Sequence, residues 1–366
     1  MFFHELDTPA LIIEKKILLN NIQSMQALAD NNNILLRPHV KTHKMPFIAE
    51  IQKEHGARGI ACAKLGEAEI MSKNGFDDIL VANIIIGPNK LNRLAALIAK
   101  GVKIRTCVDH PDQARELEDF FIGTDYTAEV LIEFDTGFGR TGVSDLNKFK
   151  ELALYVNSLN SVDLKGVMSH AGEVYHADDV QKIQKAAQNE ADALIKIKEI
   201  FSSIGLQNPV VSLGSTPSAR HSILKDLATE LRVGNYVFHD MIQVSLGTCS
   251  QGNCALTVLG SVISTPEPTR AVTDCGSKAL TQEKGAHGAK GIEGHGKIIG
   301  SEAGIIRLSE EHGILKCTEN EFKIGERVRI IPNHACTCTN LYDLAYLVDG
   351  EKVLEKIPIL CRGKSQ

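Results

Sequence analysis

Between residues 33 and 240, short runs rich in branched apolar residues alternate with longer stretches whose apolar positions recur every three or four residues. The short runs have the texture of buried parallel strands and the longer ones that of amphipathic helices, which predicts repeated βα units around one sheet. Eight units can be counted, with strands expected at 34–41 (ILLRPHVK), 59–64, 78–86, 103–109, 127–135, 163–171, 209–214 and 230–238. The clearest helix is expected over 178–203, where Val180, Ile183, Ala187, Ala191, Leu194, Ile197 and Phe201 share a face. Eight parallel strands with intervening helices fit an α/β architecture closed as a (β/α)8, TIM-like barrel. A doubly wound open sheet has the same local pattern, and the strand count favours the barrel.

Beyond residue 245 the texture changes to short alternating runs separated by Gly, Pro and Asp-Gly turns, the pattern of an all-β unit. The early run TPALIIEK reads as a further strand of that unit, because it precedes the first βα repeat and needs a partner sheet. The division expected is a barrel over 16–245 and a β domain built from 1–15 with 246–366. A chain of 366 residues is long enough for two such units.

The formal net charge of −5 comes from 40 basic and 45 acidic residues that are well mixed, so no long-range field recruits nucleic acid or anionic membrane. The start, MFFHELDTPALII, has no basic segment followed by a long apolar run, and no stretch reaches the roughly 18 apolar residues of a membrane span. A cytoplasmic protein acting on small molecules is expected. Nine cysteines, odd in number and irregularly spaced, are expected to stay reduced, most of them as small core residues.

In a barrel of this kind, functional groups collect where strands end. The first strand ends in Arg37, His39, Lys41, Thr42, His43 and Lys44; the fifth in Asp135, Gly137, Arg140 and Gly142; the sixth in Ser169, His170 and Gly172; the seventh in Gly214, Ser215 and Thr216; the eighth carries Arg232, Gly234, Asn235 and Tyr236. A lysine crowded by other cations has a lowered pKa and a free amine able to form an imine, which suits Lys41. A merely solvated basic loop is the competing reading. Gly214-Ser215-Thr216, ahead of a helix expected at Pro217, together with Gly234-Asn235 would make a phosphate cradle. Ordinary turns would use the same residues.

The segments RPHVKTHK, EFDTGFGRTGV, GVMSHAG, SLGSTPSA, ELRVGNYVFHD, DCGSKAL and PNHACTCTNLYD occur in this order over nearly the whole chain, and in this the sequence resembles the D-threonine aldolase and D-serine dehydratase family. The resemblance implies an alanine racemase-like barrel, a separate β domain and the cofactor pyridoxal 5'-phosphate. It implies Lys41 as the imine-forming lysine; Ser215, Thr216, Gly234, Asn235 and Tyr236 around the cofactor phosphate; Arg140 near the phenolic oxygen; His170 beside the ring; and Arg232 toward the pyridine nitrogen. An arginine at that nitrogen would weaken the ring as an electron sink, leaving part of the work to another group such as a metal.

His334 and Cys336 stand at i and i+2 in IIPNHAC, a segment read as a strand, so both side chains are expected on one face as ligands of one ion. Imidazole plus thiolate suits zinc, and two protein ligands leave positions for water and substrate. A buried polar pair without function is the competing reading. The resemblance favours the metal: His-x-Cys resembles the zinc pair of the dehydratases, whereas aldolases carry His-x-Asp there, and Mn2+ or another divalent ion is open. By the same alternation Cys338 is expected to face with the pair, as a spare residue. His287 and His295 lie in a glycine-rich stretch, expected as a surface loop or as a mobile loop near the site.

The implied activity is that of a lyase on D-3-hydroxy amino acids, D-serine or 3-hydroxyaspartate, in which Lys41 takes the α-proton and the ion helps hydroxide leave. Retro-aldol cleavage of D-threonine-like substrates is the alternative, followed by racemisation and by a non-catalytic cofactor-binding protein. The resemblance also implies a homodimer.

Overall fold

The computed structural model describes residues 1–222, 225–286 and 291–366. The chain opens with strand β1 (Ala10–Glu14) and continues through β2 (Leu35–Leu36), β3 (Ile60–Cys62), β4 (Asp78–Ile84), β5 (Lys103–Val108), β6 (Ala128–Phe134), β7 (Val162–Ser169), β8 (Val210–Leu213) and β9 (Glu230–Leu231). It ends with β10 (Leu256–Glu267), β11 (Arg270–Thr273), β12 (Lys297–Ile298), β13 (Gly304–Leu308), β14 (Gly313–Lys316), β15 (Arg327–Ile331), β16 (Leu344–Asp349) and β17 (Lys352–Pro358). Two compact units result. One comprises 25–41, 48–234 and 364–366; the other comprises 1–24, 42–47 and 235–363.

The first unit is the expected barrel. Its eight strands follow the order β2-β9-β8-β7-β6-β5-β4-β3, and neighbours run parallel. The ring closes through the continuation of β2. The N–H groups of Arg37 and His39 donate to Leu231 and Val233 on one side, while Val40 N–H donates to Ala61 O at 2.8 Å and Pro38 O accepts from Ala61 at 2.8 Å on the other. Pro38 has no N–H to offer, so the strand expected over 34–41 is reduced to a two-residue ladder and this bridge. At the other end the strand expected over 230–238 stops at Leu231, and Asn235–Val237 forms a 3-10 turn.

Parallel strands covered on both faces read as continuous apolar runs, which is why the pattern located them. Ala61, Leu80, Cys107, Leu131 and Met168, one from each of β3 to β7, pack into one cluster. Gly166 sits at a register shift between β6 and β7 with φ +150, and a Cβ there would lie 2.0 Å from Val210 O, so the close approach of β8 requires glycine. The helix expected over 178–203 spans Val180–Ser203, with Asp179 accepting the Lys182 N–H at its start.

The second unit is the β domain. Strand order is β11-β14-β13-β12-β15-β10-β1-β16-β17, and a further pairing of β10 with β11 closes β10 to β15 into an antiparallel ring. The twelve-residue β10 serves both parts: its first half pairs with β15 and β1, its second half with β11 from Val262 on, through register shifts at Val262/Ser264 and Ser264/Glu267. Strand β1 lies inside the sheet, antiparallel to β10 (Ala10↔Leu259) and parallel to β16 (Ile12↔Tyr346). Its Leu11, Ile12 and Ile13 are fully buried, each contributing roughly 2 kcal/mol of apolar burial.

Candidate active site

Within the barrel unit, the expected residues meet around His39. Its imidazole is buried and accepts the Lys41 backbone N–H at Nδ1 (3.4 Å). Burial, and then the charges of Lys41, Arg232, His170 and Arg140, drive its pKa well below the usual value, so it is neutral. That four cationic groups act on one imidazole places Lys41, Arg140, His170 and Arg232 in one neighbourhood, as their strand-end positions predicted.

Each of the four is held differently. Arg232 is 5 % exposed; its Nε donates to Ser212 Oγ at 3.3 Å and its Nη2 to the Ser169 carbonyl. Burial lowers its pKa, opposed by the carboxylates of Glu230, Glu133 and Glu190. Burial also pushes Glu190 up to about 7, against the pull of the 2.6 Å bond from Ser169 Oγ and of Arg232. Arg140 is half exposed, lies over the Phe138 ring (5.4 Å) and comes within 3.7 Å of Glu133. It does not pair with Asp135, which instead accepts the backbone N–H groups of Gly137, Phe138 and Gly139 and so shapes the loop. The Phe138 ring meets His170 edge-on at 6.0 Å, and a Cβ on Gly172 would press on that ring at 2.6 Å.

Gly214 has φ +105, and a Cβ there would lie 2.6 Å from Leu231 Cδ1. Ser215 and Thr216 follow it, both buried. The helix expected at Pro217 is a run of turns among the described residues. Ser215 N–H donates to Ser218 Oγ at 3.2 Å and Ala219 N–H to Ser215 O at 3.0 Å, so this cradle rests on turn geometry rather than on a helix N-terminus.

Within the β unit, His334 and Cys336 do come together, but not on a strand. β15 ends at Ile331, Pro332-Asn333 breaks the ladder, and His334 caps the short helix Ala335–Thr339. Alternation therefore fails for Cys338, which is fully buried and donates its thiol to Ala279 O at 3.2 Å, away from the pair. Glu283 Oε2 stands 3.0 Å from His334 Nδ1. Burial opposes charge on this imidazole, yet Cys336, Glu283 and Asp240 outweigh it and hold its pKa well above the usual value. Thr42, the residue after Lys41, places its hydroxyl 3.2 Å from Cys336 Sγ, and Asn235 Nδ2 lies 4.0 Å from the same sulfur. Tyr236 beside it is fully buried. Among the described residues no group of three or more His, Cys, Asp or Glu side chains is placed to hold a metal ion.

Two residues absent from the expected set organise this loop together with the expected Thr42: Glu283 and, above all, Asp240. Asp240 is fully buried and accepts the Asn235 Nδ2–H (2.6 Å), the Ala335 N–H between His334 and Cys336 (2.8 Å) and the Gln243 N–H (3.0 Å). A legible signal existed, since an Asp before a short apolar run is a helix N-cap signature. Asp240→Ala is expected to cost about 2–4 kcal/mol in urea unfolding, because it strands buried donors on three segments. A loss below about 1 kcal/mol would show that the bracket is replaceable.

His295 does not lie in a surface loop. It is 7 % exposed, its N–H donates to Ile305 O at 3.1 Å, and burial followed by Lys284 lowers its pKa. His287 lies outside the described residues. No helix among the described residues is long and apolar enough to cross a membrane.

The family model "Alanine racemase, N-terminal domain" matches residues 13–241, and "Putative serine dehydratase domain" matches residues 255–348. The D-threo-3-hydroxyaspartate dehydratase of Delftia sp. (strain HT23) is 33 % identical over 347 residues, covering 90 % of this chain and 91 % of that protein. The D-threonine aldolase of Arthrobacter sp. is 32 % identical over 369 residues, covering 98 % and 94 %. A solved cysteine-to-alanine mutant of D-threo-3-hydroxyaspartate dehydratase in the metal-free form superposes with a TM-score of 0.91 at 31 % identity, over 98 % of each chain. With matches of this extent through both units, the chain belongs to the D-serine dehydratase and D-threonine aldolase family of alanine racemase-like proteins.

Proposed function

We propose that this chain dehydrates a D-3-hydroxy amino acid, D-serine or D-3-hydroxyaspartate, to ammonia and a keto acid with the help of a divalent ion. Family membership makes it a pyridoxal-phosphate-dependent lyase of D-hydroxy amino acids; the substrate, the ion and the residue roles are our reading. The observation that carries it is the set of cations acting on the neutral His39. Lys41, Arg140 and Arg232 in one partly buried neighbourhood call for an anionic ligand, and a phosphate-bearing, phenolate-bearing ring meets that need. Gly214 without a Cβ and the buried Ser215 and Thr216, whose hydroxyls can donate, fit the phosphate end.

In this reading Ser215, Thr216, Gly234, Asn235 and Tyr236 hold the phosphate, His170 flanks the ring, Arg140 faces its phenolic oxygen and Arg232 its nitrogen. When bound, pyridoxal phosphate supplies the electron sink that acidifies the substrate Cα–H. Lys41 Nζ takes that proton, and the neighbouring cations Arg140 and Arg232 favour its neutral, proton-accepting form beforehand. His334 and Cys336 hold the ion, zinc by their donor chemistry, and a Lewis acid there favours loss of the β-hydroxyl. Thiolate in place of the carboxylate expected of aldolases is what favours dehydration over retro-aldol cleavage. The assembly expected is a cytoplasmic homodimer, with the cofactor carried by 16–245 and the metal pair by the β domain.

The test is a panel of D-serine, D-3-hydroxyaspartate and D-threonine, with products identified. Keto acid and ammonia from either of the first two support the proposal. Glycine and an aldehyde as the sole products would transfer the chain to the aldolase reading.

A further inference from the structure

Outside this site, the segment linking the barrel to β10 carries a pair of thiols. Cys249 and Cys254 flank a one-turn 3-10 helix, Gln251–Asn253. Ser250 and Asn253 close the turn: Asn253 N–H donates to Ser250 O at 3.0 Å, and Ser250 N–H and Oγ–H donate to Asn253 Oδ1 at 3.0 and 2.9 Å. The chain therefore doubles back and sets Cys249 and Cys254 on either side of one closed turn, near enough for each thiol to act on the other's proton affinity. Ala255 N–H donates to Phe238 O at 2.7 Å, which aligns the chain around Cys254 with that around His239 and brings the His239 imidazole to Cys249. His239 takes φ +52, the left-handed conformation that Asn, Asp and His tolerate better than other residues with a side chain.

The two sulfurs are unlike. Cys249 is partly exposed, whereas Cys254 is buried. Cys254 lowers the Cys249 pKa to about 6 with help from His239, against burial and the charge of Asp240; Cys254 is pushed up by Cys249 and by burial. An accessible thiolate beside a protonated partner thiol is the arrangement of a redox-active pair.

We propose that Cys249 and Cys254 form a reversible dithiol–disulfide site that reacts with low-molecular-weight disulfides, Cys249 attacking and Cys254 resolving. Cys249 Sγ displaces one thiolate from the small disulfide, whose S–S bond breaks as the mixed disulfide forms. Cys254 then gives up its proton, which the thiolate released in the first step takes, attacks Cys249 Sγ and releases the second thiol. Two electrons and two protons pass from the protein pair to the small disulfide, which leaves as two thiols.

The experiment incubates the cofactor-loaded protein with glutathione disulfide, followed by peptide mass mapping. The peptide containing both cysteines should lose two hydrogens without retaining an adduct, and a dithiol reductant should restore it. Cys317, also partly exposed but with its pKa raised by burial and Glu321, is the internal comparison and should react about ten-fold or more slowly. Cys254→Ser should trap a stable adduct on Cys249, and Cys249→Ser should leave Cys254 unmodified. A stable adduct on Cys249 in the unmutated protein, modification of Cys317 first, or oxidation of neither thiol would each overturn the assignment.

Discussion

Replacing Lys41 by alanine is expected to abolish the visible absorbance that a lysine-linked pyridoxal cofactor gives the protein, and to lower turnover by at least about 10³-fold. Lys41 is proposed for two tasks, to hold the cofactor covalently and to accept the α-proton, and alanine can do neither. The fold should survive, because Lys41 is only partly buried and the barrel closure uses the backbone of Pro38, His39 and Val40 rather than this side chain. Lys41→Arg separates charge from chemistry: it keeps a cation beside His39 but has no amine able to form an imine. If the alanine variant retained a lysine-linked chromophore, or if arginine restored turnover, the cofactor lysine would have to be sought elsewhere. Unchanged far-ultraviolet circular dichroism in both variants would show that the loss is chemical.

The second large effect is expected at the metal pair. His334→Ala and Cys336→Ala should each purify without the divalent ion, and dehydration should fall by about 100-fold or more, since even groups that only orient metal ligands are worth 10–100-fold. Exhaustive chelation of the unmutated protein should reproduce the defect, and added zinc should reverse it in that protein alone. Metal content by atomic absorption gives a readout independent of turnover. Full activity after chelation, with no metal detected, would remove the ion from the proposal and leave the barrel residues to account for hydroxide loss.

The barrel was legible because parallel strands buried on both faces are written as unbroken apolar runs, and no other element of this length is written that way. Legibility fails where the backbone runs out of hydrogen bonds to give. Pro38 interrupts the first strand and the last stops at Leu231, although the residues around both still look strand-like. The grouping of Lys41, Arg140, His170 and Arg232 followed from their common position at strand ends and needed no three-dimensional information. Asp240 and Glu283 were not foreseen as partners of the pair, because each reaches it across a long sequence separation that no local pattern encodes.

The reading of His334 and Cys336 was right about the pairing and wrong about its cause. Ala335–Thr339 is too short for a helical period, and His334 is not among the preferred capping residues, so IIPNHAC reads as strand. What turns it into a helix is tertiary: the Asp240 carboxylate receives the first free N–H of the turn, at Ala335. The same turn carries Cys338 into the core, where alternation would have left it beside the pair.

The interior position of β1 has a consequence for how the protein is made. This strand leaves the ribosome well before its neighbours β10 and β16, so its slot does not exist while the intervening βα repeats are synthesised. Leu11, Ile12 and Ile13 must remain unsheltered through that interval, which makes β1 a segment with much to gain from a chaperone. The β domain accordingly completes its sheet only after translation has passed β16, whatever the order in which the barrel assembles.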